Sequence, residues 1–290
     1  MSIEDLLRET LADMAHEEPA PHPDRFLRPV RARRRGVALA AAAAVVVLAA
    51  GGTVAVQTLS EPVPLTAVRP ALVKSKVTIR AGLRLADLLD LLARTTGKPV
   101  ESFAQAVRDD KALGLPSYAK GRLEGFAYPG TYEYTASSTP TEILAAMVAR
   151  FRESAERLGL ESERAVIIAS LVQAESPSEA DMPKVSRVIH NRLARGMFLQ
   201  LDSTVLYGLG RYGTKATLKD VKSKSPYNTY RRRGLPPGPI TNPGEAALKA
   251  ALHPATGPWL HFVVIDPKNG TLDYATSQAE LTKLIDRTAG

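Results

Sequence analysis

Between Gly36 and Val56 the chain runs for about 21 residues without a charged side chain, long enough for a helix to cross a bilayer. Arg28, Arg31, Arg33, Arg34 and Arg35 stand immediately before this run. An arginine cluster on one flank is held on the cytoplasmic side, so residues 1–35 are expected inside and everything after Gln57 outside. A cleaved signal peptide is the alternative. It fits less well, because about 35 residues precede the apolar core and the core is long for such a signal. The expected organisation is a cytoplasmic tail (1–35), a single transmembrane helix (36–57), a linker (58–75) and an extracytoplasmic remainder.

The tail opens with IEDLLRETLADMA, in which Ile3, Leu6, Leu7, Leu11 and Met14 form one apolar stripe of a short amphipathic helix. The proline-rich EEPAPHPDRFLRP behind it reads as a linker. Beyond the span, VTIRAGLRLADLLDLLARTTGKP reads as strand, turn and helix. Gly82 makes the turn, Leu85, Leu88, Leu89 and Leu92 the buried stripe, and Gly97 the stop. Thr139, Pro140 and Glu142 form a capping box before a helix that buries Ile143, Leu144, Met147, Val148 and Phe151 and ends at Gly159. Another helix is expected from Asp181 to Gly196, burying Val185, Val188, Ile189 and Leu193, and a third from Asn242 to His253. WLHFVVID and TLDYAT are strands turned by Asn269-Gly270, and Ser277 with Glu280 caps the last helix. The fold class is α+β.

Composition removes several chemistries. There is no cysteine, hence neither a disulfide framework nor a thiolate metal site. The five histidines show no ligand spacing, and neither a metal nor any other cofactor is expected. The net charge of +8 suits an anionic partner such as a membrane surface or a wall polymer. Nucleic acid is not expected as a partner, since part of that charge is the juxtamembrane cluster and no nucleic-acid motif is present. Ser117-Tyr118-Ala119-Lys120 fits an S-x-x-K nucleophile pattern but lacks the K-T-G and S-D-N partners such sites need.

The richest stretch is AVIIASLVQAESPSEADMPKVSRVIHNRLARGMFLQLDSTVLYG, residues 165–208. Ile168, Leu171, Val172 and Glu175 fall on one face of a helix, which puts a carboxylate on the apolar stripe. Burial there raises a glutamate's pKa and keeps a proton ready to donate near neutrality. The alternative is a helix end with Glu175 turned to solvent. Farther on, SPYNTYRRRGLPPGPITNPG holds too many prolines for regular structure, and a long irregular loop inside a compact domain is usually functional. Tyr227, Asn228 and Tyr230 offer ring faces and an amide suited to sugars. Asn228 could equally hold the loop's own backbone. Arg231, Arg232 and Arg233 would meet carboxylates or phosphates, or simply water.

The segments LEGFAYPGTYEY, residues 169–210 and SPYNTYRRRGLPPGPITNPG, in that order, resemble the YceG-like (MltG) family of endolytic murein transglycosylases. The resemblance runs from about Lys76 to the C-terminus. It implies a LysM-like subdomain (76–122) and a mixed α+β catalytic domain (123–290), anchored in the membrane and cutting nascent peptidoglycan glycan strands to leave 1,6-anhydro-N-acetylmuramic ends. Wall-synthesis enzymes are possible partners. Glu175 falls on the family's catalytic glutamate. Relatives carry two acids spaced E-x-E; here Gln173 takes the first position, and Ser203 stands where relatives usually have proline. Glu124, Gln200 and Asp202 lie in family motifs as substrate-binding candidates. For Glu124 the alternative is to cap the turn at Pro129-Gly130. Asp202 would hold an N-acetyl group, orient Glu175, or cap a turn. Arg192 is expected to pair with a carboxylate. Two rivals stand beside this reading: a non-catalytic peptidoglycan-binding scaffold, and a hydrolase in which Glu124 or Asp202 supplies a second carboxylate.

Overall fold

The computed structural model describes residues 74–213, 215–266 and 269–288. The amphipathic tail, the arginine cluster, the expected span and most of the linker lie outside them. Among the described residues no helix is long and apolar enough to cross a membrane.

The first strand, β1 (Ser75–Ile79), turns Val77 and Ile79 inward and is followed by α1 (Leu85–Thr96). Leu88, Leu89 and Leu92 form the buried stripe of α1, and Gly97 ends it with a left-handed φ of 71°. Two short helices follow, α2 (Val100–Ala106) and α3 (Asp110–Leu113). The partner of β1 is β2 (Gly130–Tyr134), paired antiparallel with Val77 opposite Tyr132. The expected boundary at 122/123 therefore falls between the two strands of one sheet. Next comes α4 (Pro140–Leu158), with the capping box and the core face read from the sequence. It packs on α2, α3 and β2.

The centre of the molecule is α5 (Glu163–Glu175). Here the expectation of a one-sided stripe needs correction, because every residue from Ala165 to Val172 is buried. A helix that is apolar all round belongs in the interior. α5 lies against α6 (Met182–Ala194), α7 (Asp202–Gly208) and α8 (Glu245–Leu252). Its polar groups are satisfied by partners distant in the chain. Glu163 meets Lys120 and Arg122, and Ser170 joins Ile240 N–H and the Thr241 hydroxyl. In α6, Arg192 is buried where Leu193 was expected to be, for reasons that belong to the site below. The chain closes with the hairpin β3 (His261–Asp266) and β4 (Thr271–Ala275), followed by α9 (Gln278–Thr288).

Candidate active site

Glu175 is the last residue of α5, and α7 begins against it. The Ser203 hydroxyl donates to Glu175 Oε1. The residue is partly exposed, yet loss of hydration around its carboxyl dominates and pushes its pKa up to about 7. The hydrogen bonds from Ser203 and the positive charge of Arg192 work against that rise, while the negative charge of Asp202 adds to it. A carboxylic acid with this affinity carries its proton about half the time at neutral pH, which suits a general acid that later acts as a base.

The groups around Glu175 are tightly held. Asp202 accepts a 2.6 Å hydrogen bond from the Tyr230 hydroxyl, and burial together with that carboxylate raises the Tyr230 pKa. Arg192 does not pair with a carboxylate as expected. Its Nε donates to Leu260 O at 2.6 Å, and its other nitrogens reach the Leu199 carbonyl and His261 Nδ1. Burial and this guanidinium keep the His261 ring neutral, so its nitrogen accepts. Arg192 thus ties α6, the turn before α7 and β3 into one frame, and its charge reaches Glu175 without a direct bond.

Along α7, Tyr207 stands four residues after Ser203 and so on the same helix face. Its hydroxyl donates to Glu124 Oε2 at 3.2 Å. Glu124 is only 8% exposed and is held by two further donors. Leu85 N–H lies 3.0–3.1 Å from both carboxylate oxygens, and Asn242 Nδ2 reaches Oε1 at 3.3 Å. Leu85 is the first residue of α1, and Arg84 before it supplies no side-chain cap. Glu124 therefore caps α1 from across the fold, a placement favoured by the unpaired N–H groups at a helix start. This replaces the expected turn cap at Pro129-Gly130. Burial again pushes the carboxyl up to about 7, offset in part by Leu85 N–H, Tyr207 and Arg84.

The proline-rich loop divides its candidates. The Tyr227 ring lies 4.8 Å from that of Tyr207, centre to centre. Gly208 permits this approach, since a Cβ there would meet Ser225 Oγ at 2.2 Å and Tyr227 Cβ at 3.0 Å. Tyr230 reaches the Glu175 cluster through Asp202. Asn228 does not reach it. It is fully buried, its amide donates to Val221 O and Ser223 O at 2.9 and 2.8 Å, and its Oδ1 accepts from Tyr230 N–H. Its polar atoms are thus occupied inside its own loop, which is the loop-holding alternative. Gln200 is exposed at the turn before α7, with a left-handed φ of 50° and its N–H on Thr229 O. Gln173 accepts from Gly244 N–H at the start of α8, on the other side of the helix end from Glu175.

Sequence reasoning passed over Tyr207, Arg84 and Asn242. The i, i+4 step from Ser203 would have found Tyr207. Asn242 read only as a helix opener, whereas its buried amide also accepts Gly125 and Ala127 N–H at 3.0 Å each. Gly125 needs its φ of 88° in that turn, and a Cβ there would strike Pro239 at 2.6 Å. Among the described residues no group of three or more histidine, aspartate or glutamate side chains could hold a metal ion.

Similarity to known proteins agrees with this geometry. An endolytic murein transglycosylase of Bacillus subtilis is 34% identical over 176 residues, 58% of this chain and 48% of the relative. One from Streptococcus pneumoniae is 30% identical over 228 residues, 66% of this chain and 41% of the relative. The chain thus spans about half the length of these curated relatives or less. A crystal structure of a YceG-like protein from Listeria monocytogenes superposes with a TM-score of 0.63 at 30% identity, over 72% of this chain and 75% of the other. The sequence model of the YceG-like family matches residues 52–287, nearly all of the chain beyond its first 51 residues, and the chain belongs to that family.

Proposed function

We propose that this protein is a membrane-anchored endolytic lytic transglycosylase that cuts the glycan strands of peptidoglycan. The observation that carries the reading is Glu175, a carboxyl with a pKa near 7 held by the Ser203 hydroxyl at the end of a buried helix. Glu175 protonates the glycosidic oxygen of the bond between N-acetylmuramic acid and the next sugar. The C6 hydroxyl of the same muramic residue attacks its own C1 and displaces the protonated leaving group. The carboxylate then takes the hydroxyl's proton, so acid becomes base and the product ends in a 1,6-anhydro ring. Attack from within one sugar supplies the effective concentration that a second catalytic group would otherwise create.

The surroundings suit one acid better than two. Glu124 is saturated by a helix start, a phenol and an amide. Asp202 is engaged by Tyr230 and is placed to steer the proton affinity of Glu175. Tyr230 and Tyr227 line the approach as substrate contacts, with Gln200 at its exposed edge. The uncharged run at 36–56 would hold the site beside the membrane and favour internal cuts in new strands. Mass spectrometry of fragments released from purified glycan strands tests the reading. Ends lighter by one water than reducing ends, as anhydro-muramic products are, are expected; reducing ends would make the enzyme a hydrolase with Asp202 as its second carboxylate.

A further inference from the structure

Beside the catalytic cluster, Arg84, Leu85, Ala86 and Leu89 of the α1 region share with Glu124, Tyr207 and Tyr212 the lining of a cavity of about 440 Å³, within the range of small-ligand sites. We propose that this cavity binds the acidic peptide branches carried by the glycan, with the Arg84 guanidinium taking a branch carboxylate. The proposal rests on the glycan-cutting reading and adds to it a second point of substrate recognition.

Charge and stacking decide the ligand class. The Arg84 guanidinium lies 5.3 Å from the Tyr207 ring centre and 4.5 Å from that of Tyr212. A face of each ring is therefore taken, which disfavours a stacked sugar. One Arg84 nitrogen donates to Arg211 O at 2.7 Å, leaving further N–H groups for a ligand. No carboxylate comes within ion-pair distance of Arg84 among the described residues. Asp87 accepts the Tyr212 hydroxyl at 2.8 Å, and Glu124 is held by Leu85, Tyr207 and Asn242. What the cavity offers is an apolar wall of Leu85, Ala86 and Leu89 beside a guanidinium that makes no ion pair among the described residues; Glu124 on the same wall feels its charge but is held by other donors. Short peptides rich in methyl side chains and carboxylates match both features. A charge-assisted pair in such partly apolar surroundings is stronger than one in open water.

Position supports the same assignment. Ser203, which holds Glu175, and Tyr207, which lines the cavity, are one turn apart on α7, about 6 Å along its axis. A branch on a sugar close to the cut bond spans that distance. The small subdomain then recognises substrate through the start of α1, as part of one continuous site.

Binding to the full-length Glu175→Gln protein tests this without turnover. The probes are a peptidoglycan tetrasaccharide carrying its peptide branches and the same tetrasaccharide with the branches removed. The branched probe is expected to bind at least about tenfold more tightly, the size of one charge-assisted hydrogen bond. Adding Arg84→Gln, which keeps a planar donor for the Arg211 carbonyl and removes the charge, is expected to abolish that difference. Arg84→Lys should restore part of it, and raising the salt concentration should shrink it. Equal affinities for the two probes overturn the proposal, as does a preference that survives Arg84→Gln. Wild-type cleavage of the same strands is scored separately, so failure of the glycan-cutting reading and failure of this site give different results.

Discussion

Glu175 and Glu124 sit at opposite ends of α7, each touched by a hydroxyl from that helix, and burial lifts both carboxyls to about the same proton affinity. Their surroundings differ in one respect that separates them as candidates. Glu124 receives donors from a helix start, a phenol and an amide, so its lone pairs are spent on the fold. Glu175 is held through Ser203 alone and stays partly exposed, which leaves an oxygen for a substrate. A raised pKa alone therefore does not single out a candidate acid; unspent hydrogen-bonding capacity beside it is what sets Glu175 apart as the candidate.

That contrast is open to direct attack. The largest effect is expected from Glu175→Gln, which should lower glycan cleavage by about 10³-fold or more while the melting temperature stays close to wild type. Retained cleavage in the folded variant would remove the distinction. Glu124→Ala is expected to do the reverse. It strands Leu85 N–H, the Tyr207 hydroxyl and the Asn242 amide, at a cost of about 3 kcal/mol in chemical denaturation, and the protein that remains folded should cut within a few-fold of the normal rate. A large rate loss with unchanged stability would make Glu124 a second catalytic carboxylate.

The pH dependence of stability probes both groups at once. Each carboxyl ordinarily titrates near 4.5 and is lifted to about 7 in the fold, so the native state keeps protons that the unfolded chain releases. The associated stability is full below pH 4.5 and is lost as pH rises through 7, by up to about 3 kcal/mol per carboxyl. Glu124→Gln should remove its share of that slope in denaturant titrations at pH 5 and pH 8. The smallest effect belongs to Ser203→Ala. Loss of a donor to the charged form should move the alkaline limb of the activity profile upward by about half a pH unit, with a few-fold change in maximal rate. An unmoved limb would mean that the hydroxyl does not tune the acid.

Much of the fold could be read from local pattern. The box of Thr139 and Glu142, the apolar face of α4 and the hairpin around Gly270 all follow from residues within a few positions of one another. What escaped is long-range. The pairing of β1 with β2 joins segments 55 positions apart at Val77 and Tyr132, and nothing in either strand names the other. α5 was read from the one face that carries Ile168, Leu171, Val172 and Glu175, whereas the partners that let its polar Glu163 and Ser170 be buried lie at Lys120, Arg122, Ile240 and Thr241. In the site, Glu175 was legible as a carboxylate at the end of an apolar run. The roles of Asn228 and Glu124 were left open in the sequence, because a buried amide or carboxyl is defined by the donors and acceptors that meet it.

Asn242 carries a consequence for how the chain reaches this state. Its backbone accepts from Gly82 and donates to Leu83, and its side chain holds Gly125, Ala127 and Glu124. Segments made early are thus fastened by a residue made some 160 positions later. Closing so large a loop must precede any return from those contacts, so folding should be slow and should advance as a single event. A chain halted before residue 242 would have its first strand and helix in hand and no means of locking them. Protease resistance is therefore expected only once Asn242 and its surroundings have been made, and not on emergence of the first helices.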